Sequence, residues 1–65
     1  MFGERLRESR LEKGWTQAEL GEKLSTTQST IGKYEREELQ PNIENIVRIC
    51  QVLEISADYL LGLED

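Results

Sequence analysis

Apolar residues recur every three or four positions through most of this chain, the spacing of helices that bury one face. The periodic stretches are interrupted near Gly14, Ser25, Pro41 and Ser56, residue types that favour turns, helix ends or helix starts. The pattern predicts an all-α fold: a compact bundle of five short helices within a single domain, residues 1–65.

The first helix is predicted from about Phe2 to Lys13. Gly14 follows it as a C-cap, because glycine readily takes the left-handed conformation that ends a helix. The residues expected to face the core from this helix and the position after Gly14 are Phe2, Leu6, Leu11 and Trp15.

The last two helices follow Pro41, which blocks continuation of the preceding helix, and begin at the caps Asn42 and Ser56. The predicted core face of the fourth helix is Ile43, Ile46, Val47, Cys50 and Leu53. The fifth helix carries more apolar surface than the end of a small domain needs to bury, namely Tyr59, Leu60, Leu61 and Leu63. Two interpretations stay open: this surface closes the core, or part of it contacts a second copy of the chain.

The stretch from Thr16 to Arg36 has the pattern of two short helices joined by a tight turn. Thr16 and Glu19 have the spacing of a capping box, in which each side chain bonds the other residue's backbone N–H. Hydroxyl residues at 25–27 suit a turn and a second cap, so a second helix of the pair is predicted from about Gln28 to Arg36.

That helix divides into two faces on a helical wheel. Ile31 and Tyr34 can pack inward. The outer face has an amide, a hydroxyl, a glycine and two cations but no carboxylate: Gln28, Ser29, Gly32, Lys33 and Arg36. Glutamine can pair with adenine, lysine with guanine and serine with any base. This face is therefore either a surface that reads DNA in the major groove or an ordinary solvated helix face.

Taken together, these features resemble the phage repressor/Cro helix-turn-helix family, of XRE type, over nearly all 65 residues. The residues that carry the resemblance are Arg10, Gly14-Trp15-Thr16-Gln17, Leu20, Leu24, Ile31, Tyr34-Glu35, Pro41 and Ile55-Ser56. The resemblance implies a lambda-repressor-like bundle in which the second and third helices form the helix-turn-helix. It also implies a transcriptional regulator, typically a repressor, that binds a palindromic double-stranded operator as a homodimer.

The resemblance further implies roles for individual residues. The positions that read base edges are Thr27, Gln28, Ser29 and Lys33. The positions expected at the DNA backbone are Arg10, Gln17, Arg36, Gln40 and Asn42, of which Asn42 also serves as a helix cap. Arg10 and Glu35 match a family ion pair, which is either purely structural or also holds Arg10 close to the phosphates. Dimer contacts are expected at Tyr59, Leu60 and Leu63.

Two positions in the helix-turn-helix depart from the family pattern. Ser25 stands where glycine is usual in the turn, which is unfavourable if the backbone there has a positive φ. Gly21 stands where alanine is commoner, which permits close helix packing but lowers helix propensity.

The charge is a third departure, because DNA-binding domains are typically basic and this chain has a net charge of −5. Residues 1–36 have a net charge of +1, whereas residues 37–65 have a net charge of −6. Since affinity for DNA scales with the phosphates neutralised, a single domain should bind weakly. Glu37 and Glu38 directly follow the helix predicted from about Gln28 to Arg36, which would be the recognition helix, the one that enters the major groove. Their carboxylates either point to solvent or weaken binding to incorrect DNA sites.

Composition excludes several other classes of protein. With Cys50 as its single cysteine, the chain cannot form an internal disulfide, which favours a reducing, cytoplasmic setting. With no histidine and one cysteine, it offers neither a histidine-based metal site nor a structural zinc site. No apolar stretch approaches the length of a membrane span, so we do not expect a membrane protein. No general base is paired with a nucleophile, so we expect neither an enzyme nor a bound cofactor. Two alternatives remain: a protein-interaction module on the same fold, of antitoxin or anti-repressor type, and the head of a longer protein.

Overall fold

The computed structural model describes residues 1–63, which form five helices without a strand. The helices are α1 (Phe2–Glu12), α2 (Gln17–Lys23), α3 (Gln28–Glu35), α4 (Ile43–Leu53) and α5 (Ala57–Leu60). The predicted all-α, five-helix architecture is confirmed, and the helix bounds lie within a residue or two of those expected, except that α5 ends at Leu60 and does not extend to Leu63.

Four of the helices begin at a side-chain cap. Thr16, Thr27, Asn42 and Ser56 each accept a hydrogen bond from the backbone N–H three residues later. At α2 the capping box is complete: Glu19 N–H donates to Thr16 Oγ1 at 3.0 Å, and Thr16 N–H donates to Glu19 Oε1 at 2.8 Å. These local hydrogen bonds fix where α2 to α5 start, and for that reason the sequence predicts those starts.

Each helix is followed, one or two residues after its end, by a residue in the left-handed region, a conformation that commonly terminates helices. These residues are Gly14, Ser25, Glu37, Glu54 and Gly62. After α2, for example, Ser25 has φ 58° and Thr26 N–H donates to Gly21 O at 2.7 Å. The positive φ that makes serine unfavourable at position 25 is therefore present.

The core is built around α3, which packs against both α1 and α2, while α5 packs against α1 and α4. Half-buried residues close the edges of this core, among them Phe2, Trp15, Ile46 and Cys50, as predicted. The fully or nearly fully buried side chains are Leu6, Leu20, Leu24, Ile31, Tyr34, Ile49, Leu53 and Leu60.

Three residues predicted in the core lie instead on the surface. Leu11 is 52% exposed, Ile43 81% and Val47 50%. Leu11 lies about 140° around α1 from the buried Leu6, on the solvent side of the helix. The main apolar arc of α4 spans about 160°, wider than the side that the domain buries, which is centred on Ile49 and Leu53.

Neither a membrane-spanning segment nor a metal cluster is found in the described part of the chain. None of the helices in residues 1–63 is long and apolar enough to cross a bilayer. The same residues contain no group of three or more His, Cys, Asp or Glu side chains placed to hold a metal ion.

Candidate nucleic-acid interface

The helices α2 and α3 meet at Gly21. A Cβ added at this glycine would lie 2.9 Å from Thr27 C and 3.1 Å from Thr27 O, at the start of α3. Because both atoms belong to the backbone, they cannot move aside without moving α3. The missing side chain at position 21 therefore sets how closely the recognition helix approaches α2, as the sequence predicted.

The inner face of α3 is fixed by two buried residues. Ile31 is fully buried and Tyr34 is 4% exposed. The Tyr34 hydroxyl also accepts a hydrogen bond from Asn45 Nδ2 at 3.2 Å, which ties α3 to α4. This anchoring leaves the opposite face of α3 at the surface, with Gln28, Ser29 and Lys33 exposed.

Residues from α2 and α3 line a shared open groove of about 380 Å³. The lining consists of Gln17, Gln28, Ser29, Gly32 and Arg36. Four of these five were predicted to contact DNA, and no carboxylate lies among them. The fold thus brings the amide of Gln17 together with the outer face of α3 in one groove, except for Lys33, which does not line it.

A buried ion pair supports this surface from beneath. Arg10 donates to Glu35 through Nε (2.7 Å) and Nη2 (3.1 Å), and its Nη1 donates to Trp15 O at 2.8 Å. Gln17 Nε2 donates to the same carboxylate at 3.1 Å. The predicted Arg10–Glu35 pair is confirmed, and it also orients Gln17.

The remaining residues predicted to contact DNA do not line this groove. Thr27 and Asn42 both cap helices, so their side-chain oxygens already accept backbone N–H groups. Gln40 lines a separate apolar cleft with Phe2 and Pro41, away from the groove. Arg10 is only 7% exposed, and its Nε, Nη1 and Nη2 all donate to groups within the protein. Their DNA contacts stay predictions.

The acidic residues after α3 do not simply point to solvent, because each is paired. Glu37 accepts from the amino group of Met1 and from Gly3 N–H (3.4 Å), and the hydrogen bond to that amino group holds the pKa of Glu37 below its usual value. Glu38 accepts from Arg36 Nε at 2.9 Å and Nη2 at 3.3 Å. This hydrogen-bonded pair lowers the pKa of Glu38 and raises that of Arg36.

The pairing of Arg36 with Glu38 was missed at the sequence level. Residues two apart on a helix face different directions, so the spacing alone gives no signal. The left-handed residue Glu37 between them turns the chain back and makes the contact possible. A glycine at that position would have suggested the turn; a glutamate did not.

The prediction of a dimer contact requires one correction. Leu60 is fully buried, so its side chain has no surface to offer a partner, and that part of the prediction is wrong. Tyr59 is half-buried beneath the guanidinium of Arg5, which lies 4.7 Å from the ring centre, while Leu63 is 73% exposed. Leu60 is buried because the single turn of α5 packs against both α1 and α4.

Comparison with known proteins places the whole fold in one family. A family model described as helix-turn-helix matches residues 6–60. The transcriptional regulator ImmR of Bacillus subtilis is 35% identical over 64 residues, covering 98% of this chain and 50% of the relative. Repressor protein C2 of Salmonella phage P22 is 38% identical over 61 residues, covering 94% of this chain and 28% of the relative. The chain spans about half the length, or less, of these curated relatives.

Solved structures agree with the sequence comparison. The P22 c2 repressor in complex with a synthetic operator superposes with a TM-score of 0.88 at 37% identity, covering 92% of this chain and 91% of that one. The biofilm regulator SinR in complex with DNA gives a TM-score of 0.85 at 34% identity, covering 94% of this chain and 98% of that one. With family model, sequence and fold in agreement, the chain belongs to the helix-turn-helix family of phage-repressor, or XRE, type.

Proposed function

We propose that this chain binds double-stranded DNA sequence-specifically, as the DNA-binding part of a transcriptional regulator of the repressor kind. The observation that carries the proposal is the carboxylate-free groove in which Gln17 adjoins the exposed face of α3. A helix presented in this way fits the major groove. The relatives crystallised with DNA support the same conclusion.

The residues divide into three roles under this proposal. Gln28, Ser29 and Lys33 contact base edges, to which amide, hydroxyl and ammonium groups can bond specifically. Gln17 and Arg36 contact phosphates on either side of them. Arg10 acts as a positioning residue, because its guanidinium is held by Glu35 and Trp15 O.

The proposal includes two copies on a palindromic operator, with half-sites about one helical turn apart. A single domain with a net charge of −5 has few cations to offer the phosphates, so two linked domains gain affinity that one cannot supply. Exposed apolar residues are available for a contact between copies; they include Ile43, Val47, Leu61 and Leu63. With Tyr59, these residues replace the buried Leu60 in the proposed dimer contact.

The alternative of a protein-interaction module is not favoured. Its strongest support is the same set of exposed apolar residues, which a dimer contact would use equally well. Two solved relatives of this chain, the P22 c2 repressor and SinR, are complexes with DNA. The single half-buried Cys50 suits the reducing cytoplasm, where such a regulator would act.

The proposal is tested by selecting bound sequences from random double-stranded DNA at low salt, with the wild type, Gln28→Ala and Gln17→Ala in parallel. We expect a two-fold-symmetric motif. Gln28→Ala should lose selectivity at one base pair per half-site, at a cost of about 1–3 kcal/mol, whereas Gln17→Ala should weaken all sites alike. Equal weakening of every site by both variants would remove Gln28 from the base-reading set. No enrichment with folded wild type would overturn DNA binding itself.

A further inference from the structure

The cation at the end of the recognition helix is already neutralised within the protein. Arg36 presents its Nε and Nη2 edge to both carboxylate oxygens of Glu38, at 2.9 and 3.3 Å. A DNA phosphate would be bound by the same kind of two-point contact from a guanidinium. Glu38 therefore occupies one of the edges through which Arg36 could hold a phosphate at two points.

The backbone holds Glu38 in this position. Glu37 adopts φ 60°, and the next N–H, that of Glu38, donates to Lys33 O at 2.8 Å. This hydrogen bond closes the C-terminal turn of α3 and turns position 38 back toward Arg36. The ammonium group of Met1 and the N–H of Gly3 bind the Glu37 carboxylate and hold the turn from the other side.

Arg36 is also positioned on its other side. Its Nη1 atom lies 3.0 Å from where a Cβ of Gly32 would be, and Gln17 Oε1 lies 3.5 Å from the same point. The guanidinium thus crosses the bare backbone of α3 at Gly32 and borders the groove. Arg36 is held between the groove on one edge and the Glu38 carboxylate on the other.

We infer that Glu38 is an internal competitor of the DNA backbone: its carboxylate occupies the Nε and Nη2 edge of Arg36 and neutralises the charge that a phosphate would use, which limits the affinity of the domain for all DNA. This inference rests on the proposed function. A phosphate can displace the Glu38 carboxylate from Arg36 at little cost, since both side chains are more than half exposed (58% and 55%) and exposed ion pairs are weak in water. Because phosphate contacts carry no base sequence, the limit should apply to operator and non-operator DNA equally.

The test is a double-mutant cycle on DNA affinity, using the enriched duplex and a scrambled one at fixed salt. Glu38→Gln should tighten binding to both duplexes about two- to fivefold, the factor expected for releasing one exposed ion pair. In an Arg36→Gln background the same change should have little effect, because no guanidinium remains to be released. A matched control is Glu54→Gln, which also removes one exposed carboxylate and frees one cation, Lys13, at the far end of α4.

The outcomes separate this inference from the proposed function. An equal gain from Glu38→Gln in the presence and absence of Arg36, or an equal gain from Glu54→Gln, would attribute the effect to net charge and overturn the inference. No gain from Glu38→Gln would overturn it as well. Failure of the folded wild type to bind any duplex would instead reject the proposed function, and the competitor role with it.

Discussion

At Ser25 the backbone conformation is unfavourable for a residue that carries a Cβ. Its φ of 58° lies in the left-handed region, where the Cβ of an L-residue crowds the following carbonyl. The conformation persists because N–H groups of Ser25 and Thr26 close the end of α2 on Glu22 O and Gly21 O, at 3.1 and 2.7 Å. The tight turn between α2 and α3 is thus maintained at a local cost.

We expect Ser25→Gly to stabilise the protein by about 0.5–1 kcal/mol. The relief of about 1–2 kcal/mol of left-handed strain exceeds the extra entropy that glycine loses on folding. The measurement is urea denaturation followed by circular dichroism. Ser25→Ala is the matched control, since alanine keeps the Cβ and should bring no gain. A gain from alanine equal to that from glycine would show that the serine hydroxyl, rather than the backbone, is responsible.

At the scale of whole helices, the glycines of α2 and α3 show how the same residue type can have opposite roles. A Cβ at Gly21 would press on the backbone of Thr27, whereas a Cβ at Gly32 would meet only the ends of side chains, Arg36 Nη1 at 3.0 Å and Gln17 Oε1 at 3.5 Å. Backbone cannot yield without displacing a helix, but a guanidinium can rotate away. Gly21 is therefore required by the packing of α2 on α3, and Gly32 is not.

Gly21→Ala should lower the free energy of unfolding by about 1 kcal/mol, although alanine is the better helix former. Overpacking of about 1–3 kcal/mol outweighs the roughly 1 kcal/mol gained in helix propensity. Gly32→Ala, its counterpart in α3, should instead raise the free energy of unfolding by about 0.5–1 kcal/mol. Thermal and urea unfolding of both variants would check this. A stabilised Gly21→Ala variant would mean that α3 moves away at little cost.

The helices also show which features a sequence can predict. The starts of α2 to α5 were predicted correctly because a cap and its N–H lie three residues apart, so the interaction is local. The core side of α4 was predicted only in part: Ile43 and Val47 share the spacing of core residues yet are exposed. The face that a largely apolar helix buries depends on its neighbours, and no local pattern encodes it.

The candidate DNA-binding site, like the helices, was predicted from the sequence only in part. The exposed face of α3 followed from helix periodicity, and the Arg10–Glu35 pair followed from the family resemblance. The Arg36–Glu38 contact did not, because it depends on a left-handed glutamate at position 37. A left-handed turn made by glutamate carries little sequence signal, because the residues typical of such turns are glycine, asparagine and aspartate, so the charges that it brings together are hard to predict.

At the scale of the whole molecule, the Arg10–Glu35 pair connects three helices. Arg10 belongs to α1 and Glu35 to α3, and Gln17 of α2 donates to the same carboxylate. Both charged side chains are almost entirely buried, with 8% and 4% of their surface exposed. All buried side-chain nitrogen and oxygen atoms in the described part of the chain have hydrogen-bond partners. Removing one partner would leave an uncompensated charge at the junction of α1, α2 and α3.

We expect Glu35→Gln to cost about 3–5 kcal/mol, because Arg10 would remain buried and charged without its counterion. A domain of this size rarely has more than about 3–5 kcal/mol of stability, so the variant should be largely unfolded at room temperature. The double variant Arg10→Met/Glu35→Leu should recover most of the helical signal in circular dichroism, since an apolar pair avoids burying any charge. If the double variant were as unfolded as Glu35→Gln, the hydrogen bonds to Trp15 and Gln17, and not the charge balance, would be what holds the three helices together.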